Sequence, residues 1–196
     1  MKPKQRAAEE SPVSINWSTG LLLGSSVQER TKTLGQLRGI FYDADSWSQM
    51  DLDTTVYCVR WWQPVPENTE GGLFWGTTTI EPGLVGDEYF MTHGHCHQQR
   101  NRAEIYSTIS GEGALLLADA EGHTSMEVMT AGSTHYLRGE IAHRVANVGK
   151  SPLVFVACWP SDAGHDYETI ATKGFLARLI RCHGVPTLLR NDANGS

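Results

Sequence analysis

From Val56 onward, short apolar runs alternate with clusters of turn-forming residues. TVYCVRWW, LFWGTTTI, EYFMTHGHCH, AEIYSTIS, GALLLAD, MEVMTAG, THYLRG and LVFVACWP are rich in β-branched and aromatic side chains. Such side chains fit a pleated, half-buried surface. Between them stand Pro64-Val65-Pro66, Gly71-Gly72, Glu81-Pro82-Gly83, Gly111-Glu112-Gly113, Gly122, Gly132 and Gly149-Lys150-Ser151-Pro152. Many short strands with regular turns predict an all-β sandwich or barrel. The ends differ. Residues 1 to about 12 are polar and predict disorder. SSVQERTKTLGQL, Ser25 to Leu37, opens on a capping-type serine and predicts one short helix ended near Gly35. The tail from Ala171 to Ile180 fits a short helix or an edge strand. The chain is thus read as an N-terminal extension with a short helix, residues 1–50, and a barrel with a C-terminal tail, residues 51–196.

Size and charge narrow the function. A chain of 196 residues can bury one sizeable core. The formal net charge of -6 argues against a nucleic-acid surface, which needs a basic face. A small anionic ligand stays open, because local groups override overall charge. Cys58, Cys96, Cys158 and Cys182 contain no C-x-x-C pair, which speaks against a zinc ribbon or a thioredoxin-type motif. MKPKQRAAEESPVSINW lacks the apolar stretch of a secretory leader, and LLLG is too short to span a bilayer. The expectation is a reduced, cytoplasmic protein with free thiols and no membrane association.

The chemistry concentrates in MTHGHCHQQRNRAEIYSTISGEG. Alternate side chains of a strand share a face, so His95 and His97 project together and Cys96 points away. QQRNR reads as a hairpin turn returning Ala103 to Ser107 alongside, which brings Glu104 to the same pocket with Tyr106 on its face. Two imidazoles and a carboxylate make a mixed N/O site suited to Fe(II), Mn(II), Zn(II) or Ni(II). His143, in GEIAHRVANVG, is the best further ligand. A lone H-x-H is often only a polar strand face; with Glu104, Gly111, Gly113 and the later His143 and Asn147 the pattern is far more specific. His93 shares the face of His95 but is placed at the barrel rim. His123 and His135 read as surface strand residues, and His183 has no evident partner. Trp61, Trp62 and Trp75 read as core or subunit interface.

These stretches resemble the paired motifs of the cupin superfamily. The first is carried by His95, His97, Glu104 and Gly111, the second by Gly132, His143 and Asn147. Arg138 and Glu140 stand where that second motif usually has its turn Pro and Gly. The resemblance implies a double-stranded β-helix or jelly-roll barrel, here with short N-terminal and C-terminal helical segments. It also implies one divalent metal per subunit, with Fe(II) the first choice, bound by His95, His97, Glu104 and His143.

A closer resemblance covers about half the chain. TTIEPGLVGDEYFMTHGHCH, RAEIYSTISGEG, HRVANVGKSPLVFVACWPSDAGHDY and IATKGF are similar to the cupin-type glucose-6-phosphate isomerases of archaea and some bacteria. That family implies aldose–ketose isomerisation of a sugar phosphate by a homodimer. Glu104 is then the natural base as well as a ligand, two roles in conflict because ligation lowers basicity. His165 and Tyr167, from GHDY, are implied to open the ring or position hydroxyls. Thr78, Thr92 and Gly94, with the Tyr106 hydroxyl, are the implied phosphate site, hydroxyl and backbone N–H groups serving where no basic cluster is evident. Arg100 and Arg102 flank the site but read as solvated hairpin residues. Trp159 replaces a usual tyrosine. A cupin dioxygenase and a non-catalytic sugar-binding cupin are the alternatives.

Overall fold

A computed structural model of the chain describes residues 13–168, 170 and 174–190. The N-terminal residues 1–12, expected to be disordered, and Ala171, where the tail begins, lie outside the described residues. The architecture is all-β, as the turn-punctuated pattern predicts. β1 (Ser14–Asn16) and β2 (Leu21–Leu23) form a small hairpin. β3 (Val27–Thr33), β4 (Thr55–Trp62), β5 (Leu73–Ile80), β8 (Glu104–Ser110), β11 (Thr134–Leu137) and β13 (Leu153–Pro160) build an antiparallel sheet in the order β11-β8-β13-β5-β4-β3. β9 (Glu112–Ala118), β10 (Thr124–Thr130) and β12 (Ala142–Asn147) build a second sheet in the order β10-β9-β12. β6 (Leu84–Val85), β7 (Glu88–Tyr89), β14 (Ala177–Cys182) and β15 (Val185–Arg190) form the last, in the order β15-β14-β7-β6.

The first two sheets face each other across one core. Leu115, Val145 and Ala146 of the smaller sheet join Ile80, Leu153 and Phe155 of the larger in a single buried cluster. Every residue of β12 is buried, whereas β10 is mostly exposed. Full burial of a strand that carries His143, Arg144 and Asn147 demands partners for each polar group. Asn147, wholly buried, supplies its own: its amide donates to the carbonyls of Ile80 and Ser151, and its Oδ1 accepts from the Gly149 N–H. That side chain fastens β12 to β5 and to the turn before β13.

Three local expectations need correction. The helix expected over Ser25 to Leu37 is instead the strand β3 followed by one 3₁₀ turn, Leu34–Leu37. Val27, Thr31 and Thr33 are β-branched, and β3 pairs along the length of β4, so tertiary pairing overrides a weak helix preference. The N-terminal α-helix lies further on, at Ala44–Ser48, where Asp43 Oδ1 accepts from the Ser46 N–H at 2.8 Å. The tail forms a strand, and β14 lies inside its sheet between β15 and β7 rather than at the edge. His183, at φ 50°, makes the turn of the β14–β15 hairpin with Gly184.

The histidine segment departs most from a regular strand. Beyond Tyr89 it makes only isolated bridges, Met91 to Ala146, His95 to His143 and Cys96 to Asp166. Gly94, at φ 82°, interrupts any continuous ladder. The QQRNR turn exists, with Arg102 N–H donating to the Gln99 carbonyl at 2.9 Å. It does not return β8 alongside the histidines: β8 pairs with β11 and β13, while His95 bridges His143 of β12 and the His97 N–H donates to the Gly139 carbonyl.

Candidate metal centre

The four residues marked by the H-x-H, Glu and late His come together despite that altered pairing. His95, His97, Glu104 and His143 each place a ligand atom within 4.8 Å of the others. His95 and His97 arrive on the bridged segment, Glu104 opens β8, and His143 comes from β12. Glu104 Oε1 lies 2.7 Å from His143 Nε2 and 3.4 Å from His97 Nε2. His97, Glu104 and His143 are almost wholly buried.

The tautomers follow from the second nitrogens. His97 Nδ1 lies 2.6 Å from the Arg102 carbonyl, and His143 Nδ1 lies 3.0 Å from the Ile141 carbonyl. A carbonyl only accepts, so each Nδ1 carries the proton and each Nε2 turns a lone pair inward. Glu104 Oε1 and His143 Nε2 are buried without a properly directed hydrogen bond, despite their proximity. Lone pairs that converge in this way fit a cation at their centre. Three imidazoles and a carboxylate therefore fit a divalent metal on donor chemistry alone.

Charge at the centre is set by burial and by Glu104. Burial, then the neighbouring His143, pushes the His95 pKa well down. Burial also works against a proton on His97, but contact with Glu104 and the Arg102 carbonyl outweighs it and the pKa rises. Burial opposes ionisation of Glu104 as well, yet the surrounding imidazoles hold its carboxyl far below the usual range.

A cavity of about 340 Å3 opens onto His95, Glu104 and His143. It reaches all four residues expected to hold a phosphate. Thr78 is buried on its wall. The Thr92 hydroxyl accepts from the Val145 N–H at 3.1 Å, which leaves its own proton free to donate. A Cβ at Gly94 would meet Arg144 Nε at 3.0 Å and the His143 carbonyl at 3.1 Å, so glycine is needed there for space as well as for its φ. Tyr106 packs on Phe155 at 4.9 Å, and burial followed by the Glu104 charge pushes its pKa well up. His165 lies 4.4 Å from His95, ring to ring, and stacks with Tyr167 at 5.8 Å. Paired backbone bonds between Cys96 and Asp166 hold this stretch over the cavity. Crowding by burial lowers the His165 pKa.

Other expectations resolve differently. His93 lies outside the four-residue cluster; it lines the cavity and meets the Tyr167 ring at 5.1 Å. His135 is buried rather than on the surface, with Nδ1 2.6 Å from Glu127 and Nε2 2.9 Å from Ser133. His123 is exposed beside Asp119, on the surface as expected. Arg102 chelates Asp162 and Arg100 pairs with Asp166, so the turn arginines, with Arg100 still exposed as expected, also brace the 162–166 stretch. Trp159 lines the cavity and meets Phe74 edge-on at 6.1 Å.

Sequence reasoning missed Arg30, Lys32, Tyr57 and Arg144, all on the cavity wall. The Tyr57 pKa is pushed up to about 12, chiefly by burial. Arg144 stacks over Phe175 at 4.2 Å and donates to Met91 Sδ and the His93 carbonyl; burial lowers its pKa to about 10. The signal for Arg30 and Lys32 was their alternation with Gln28 in VQERTKT, hidden once that stretch was read as helix.

The glucose-6-phosphate isomerase (GPI) family model matches residues 31–194. The glucose-6-phosphate isomerase of Thermococcus litoralis is 37% identical over 174 residues, covering 88% of this chain and 90% of the relative. That of Pyrococcus furiosus is 36% identical over 181 residues, covering 91% and 94%. That of Sinorhizobium medicae is 39% identical over 169 residues, covering 85% and 78%. Among solved structures, an oxalate decarboxylase of Bacillus subtilis aligns with a TM-score of 0.44 at 24% identity, over 60% of this chain and 29% of that one. The match along nearly the whole chain, joined to the four-ligand cluster, places this protein in the cupin-type glucose-6-phosphate isomerase family.

Proposed function

We propose that this chain interconverts glucose 6-phosphate and fructose 6-phosphate with one divalent cation per subunit, held by His95, His97, Glu104 and His143. The observation that carries the reading is three imidazoles and a buried carboxylate converging beneath the His165–Tyr167 pair, in a cavity of ligand size. Fe(II) is our first assignment, with Mn(II), Zn(II) and Ni(II) accepted by the same donors. The cation supplies Lewis acidity that polarises the sugar carbonyl and stabilises negative charge developing on its oxygens.

The protein's own groups do the rest. Glu104 turns one oxygen toward the imidazoles, so its basicity is already engaged. His165, with its lowered pKa, is neutral near pH 7 and has a nitrogen available to take a proton. It removes the O1 proton as the C1–O5 bond of the ring breaks, and O5 is protonated in turn. In the open chain, one hydrogen moves between C1 and C2, as a proton by way of an enediol or as a hydride, while the hydroxyl proton passes between O2 and O1. Tyr167, stacked on His165, keeps that ring at the cavity mouth and offers its hydroxyl to the sugar. Thr78, Thr92, Gly94 and Tyr106 orient the phosphate. Four cysteines without disulfides fit a reducing cytoplasm. Exposed Ile105 and Tyr136, cross-strand partners on β8 and β11, fit a homodimer interface that size-exclusion chromatography would test.

The deciding experiment strips the protein of metal and restores Fe(II), Mn(II), Zn(II) or Ni(II) singly. Conversion of fructose 6-phosphate is then followed beside a His143→Ala control. Metal-restored turnover absent from the control is expected. Tight metal binding with no turnover under any of the four ions would remove the isomerase reading.

A further inference from the structure

One wall of the cavity is a face of the six-stranded sheet, and its register puts cations there. Arg30 pairs with Val59, Val59 with Thr78, and Thr78 with Phe155. Residues directly opposite in antiparallel ladders share a face, and all four line the cavity. Lys32 pairs with Tyr57, one step along the same face, and both line the cavity too. Arg30 thus starts two strands from Thr78, roughly 10 Å at ordinary strand spacing. Val59, small between the aromatic Tyr57 and Trp61, leaves that path open.

The two cations are unneutralised. On the opposite face of the same strands Glu29 and Arg60, also directly paired, form an ion pair at 2.7 Å. Among the described residues neither Arg30 nor Lys32 has a carboxylate within salt-bridge distance. Arg30 leans over the Trp61 ring at 5.8 Å. The nearby acid on the rim, Glu67, accepts from Gln63 at 3.4 Å and stands beyond salt-bridge distance of both cations. In a chain of net charge -6, two free cations beside donor hydroxyls mark a place for an anion.

We propose that Arg30 and Lys32 form the cationic half of a phosphate clamp completed by the Thr78 and Thr92 hydroxyls and the Gly94 N–H. The clamp selects a sugar phosphate over the free sugar. It rests on the isomerase reading for the identity of the sugar, but the anion site itself does not require turnover.

The test measures inorganic phosphate binding to the metal-loaded protein by calorimetry, for wild type, Arg30→Ala, Lys32→Ala and the double variant. Each single change should weaken phosphate about tenfold and the double change about a hundredfold, the scale of one charge-assisted contact each. Arg30→Lys should recover most of the loss. The KM for fructose 6-phosphate should rise in parallel, with a much smaller change in kcat. Equal phosphate affinity in wild type and double variant would overturn the clamp, as would a fall in kcat at constant KM. If the alanine variants fail to fold by circular dichroism, Arg30→Gln and Lys32→Gln carry the same measurement. Phosphate binding that depends on both cations, in a protein inactive with every metal, would sink the isomerase reading and leave the clamp standing.

Discussion

His97 brings the chemistry of the centre to a single nitrogen. Its Nε2 is wanted both by a proton, which Glu104 favours, and by a metal. Because the folded pKa is raised, the proton's contribution to stability of the metal-free protein is present below about pH 6.5 and is lost as pH rises through the folded value. Metal binding runs the other way. Affinity should be full above the raised pKa of His97 and fall as pH drops through it, first by one proton because His95 stays neutral. Chelator competition between about pH 8.5 and 5.5 measures this; an affinity flat across that range would show that His97 Nε2 is not a ligand. Residue identities at the centre were legible because H-x-H, the spaced Glu and the late His name donor types, and donors betray themselves by chemistry. Arg30 and Lys32 were not, because a cation on a strand looks like any solvated residue until its neighbours across the sheet are known.

At the scale of elements, turns govern the two motifs. Gly111 and Gly132 both hold positive φ, 85° and 89°, yet their surroundings differ. A Cβ at Gly132 meets nothing within 4 Å, whereas one at Gly111 would lie 2.6 Å from the Pro152 carbonyl oxygen and 2.7 Å from Leu153 Cα. Gly132→Ala should therefore cost about 1 kcal/mol, the backbone strain alone. Gly111→Ala should cost several-fold more, since β13 has to shift. Urea unfolding of the two variants compares them, and equal losses would contradict the close approach. The strands TVYCVRWW, LFWGTTTI and LVFVACWP were legible to the residue because each is bounded by glycine or proline or by a polar turn. β3 was not, because its partner β4 lies more than twenty residues away and local propensity was all the sequence offered.

Across the whole molecule the ligands come from different parts of the fold. Glu104 belongs to the larger sheet, His143 to the smaller, and His95 and His97 to the segment between them. A cation there ties both sheets together only in the folded state. Saturating metal at about a thousandfold over its dissociation constant should add roughly 4 kcal/mol. For a chain of this length that raises the melting temperature by about 10 °C. Scanning calorimetry with and without a chelator reads the shift, and coincident transitions would mean that no metal bridges the sheets. The all-β class was legible from punctuation, but which sheets face each other depends on long-range pairings that no window of sequence contains. The isolated bridges of the histidine segment have a last consequence. Glu104 and His143 ride on continuous ladders, while His95 and His97 follow Gly94 on a segment tied by isolated contacts, His95 by a reciprocal pair of backbone bonds to His143 and His97 by one to the Gly139 carbonyl. Half of the coordination shell is thus anchored in ladders and half on isolated bridges. A shell built this way would take up a difference in ionic radius through the arm that follows Gly94, leaving the ranking of ions to their affinity for nitrogen and oxygen donors.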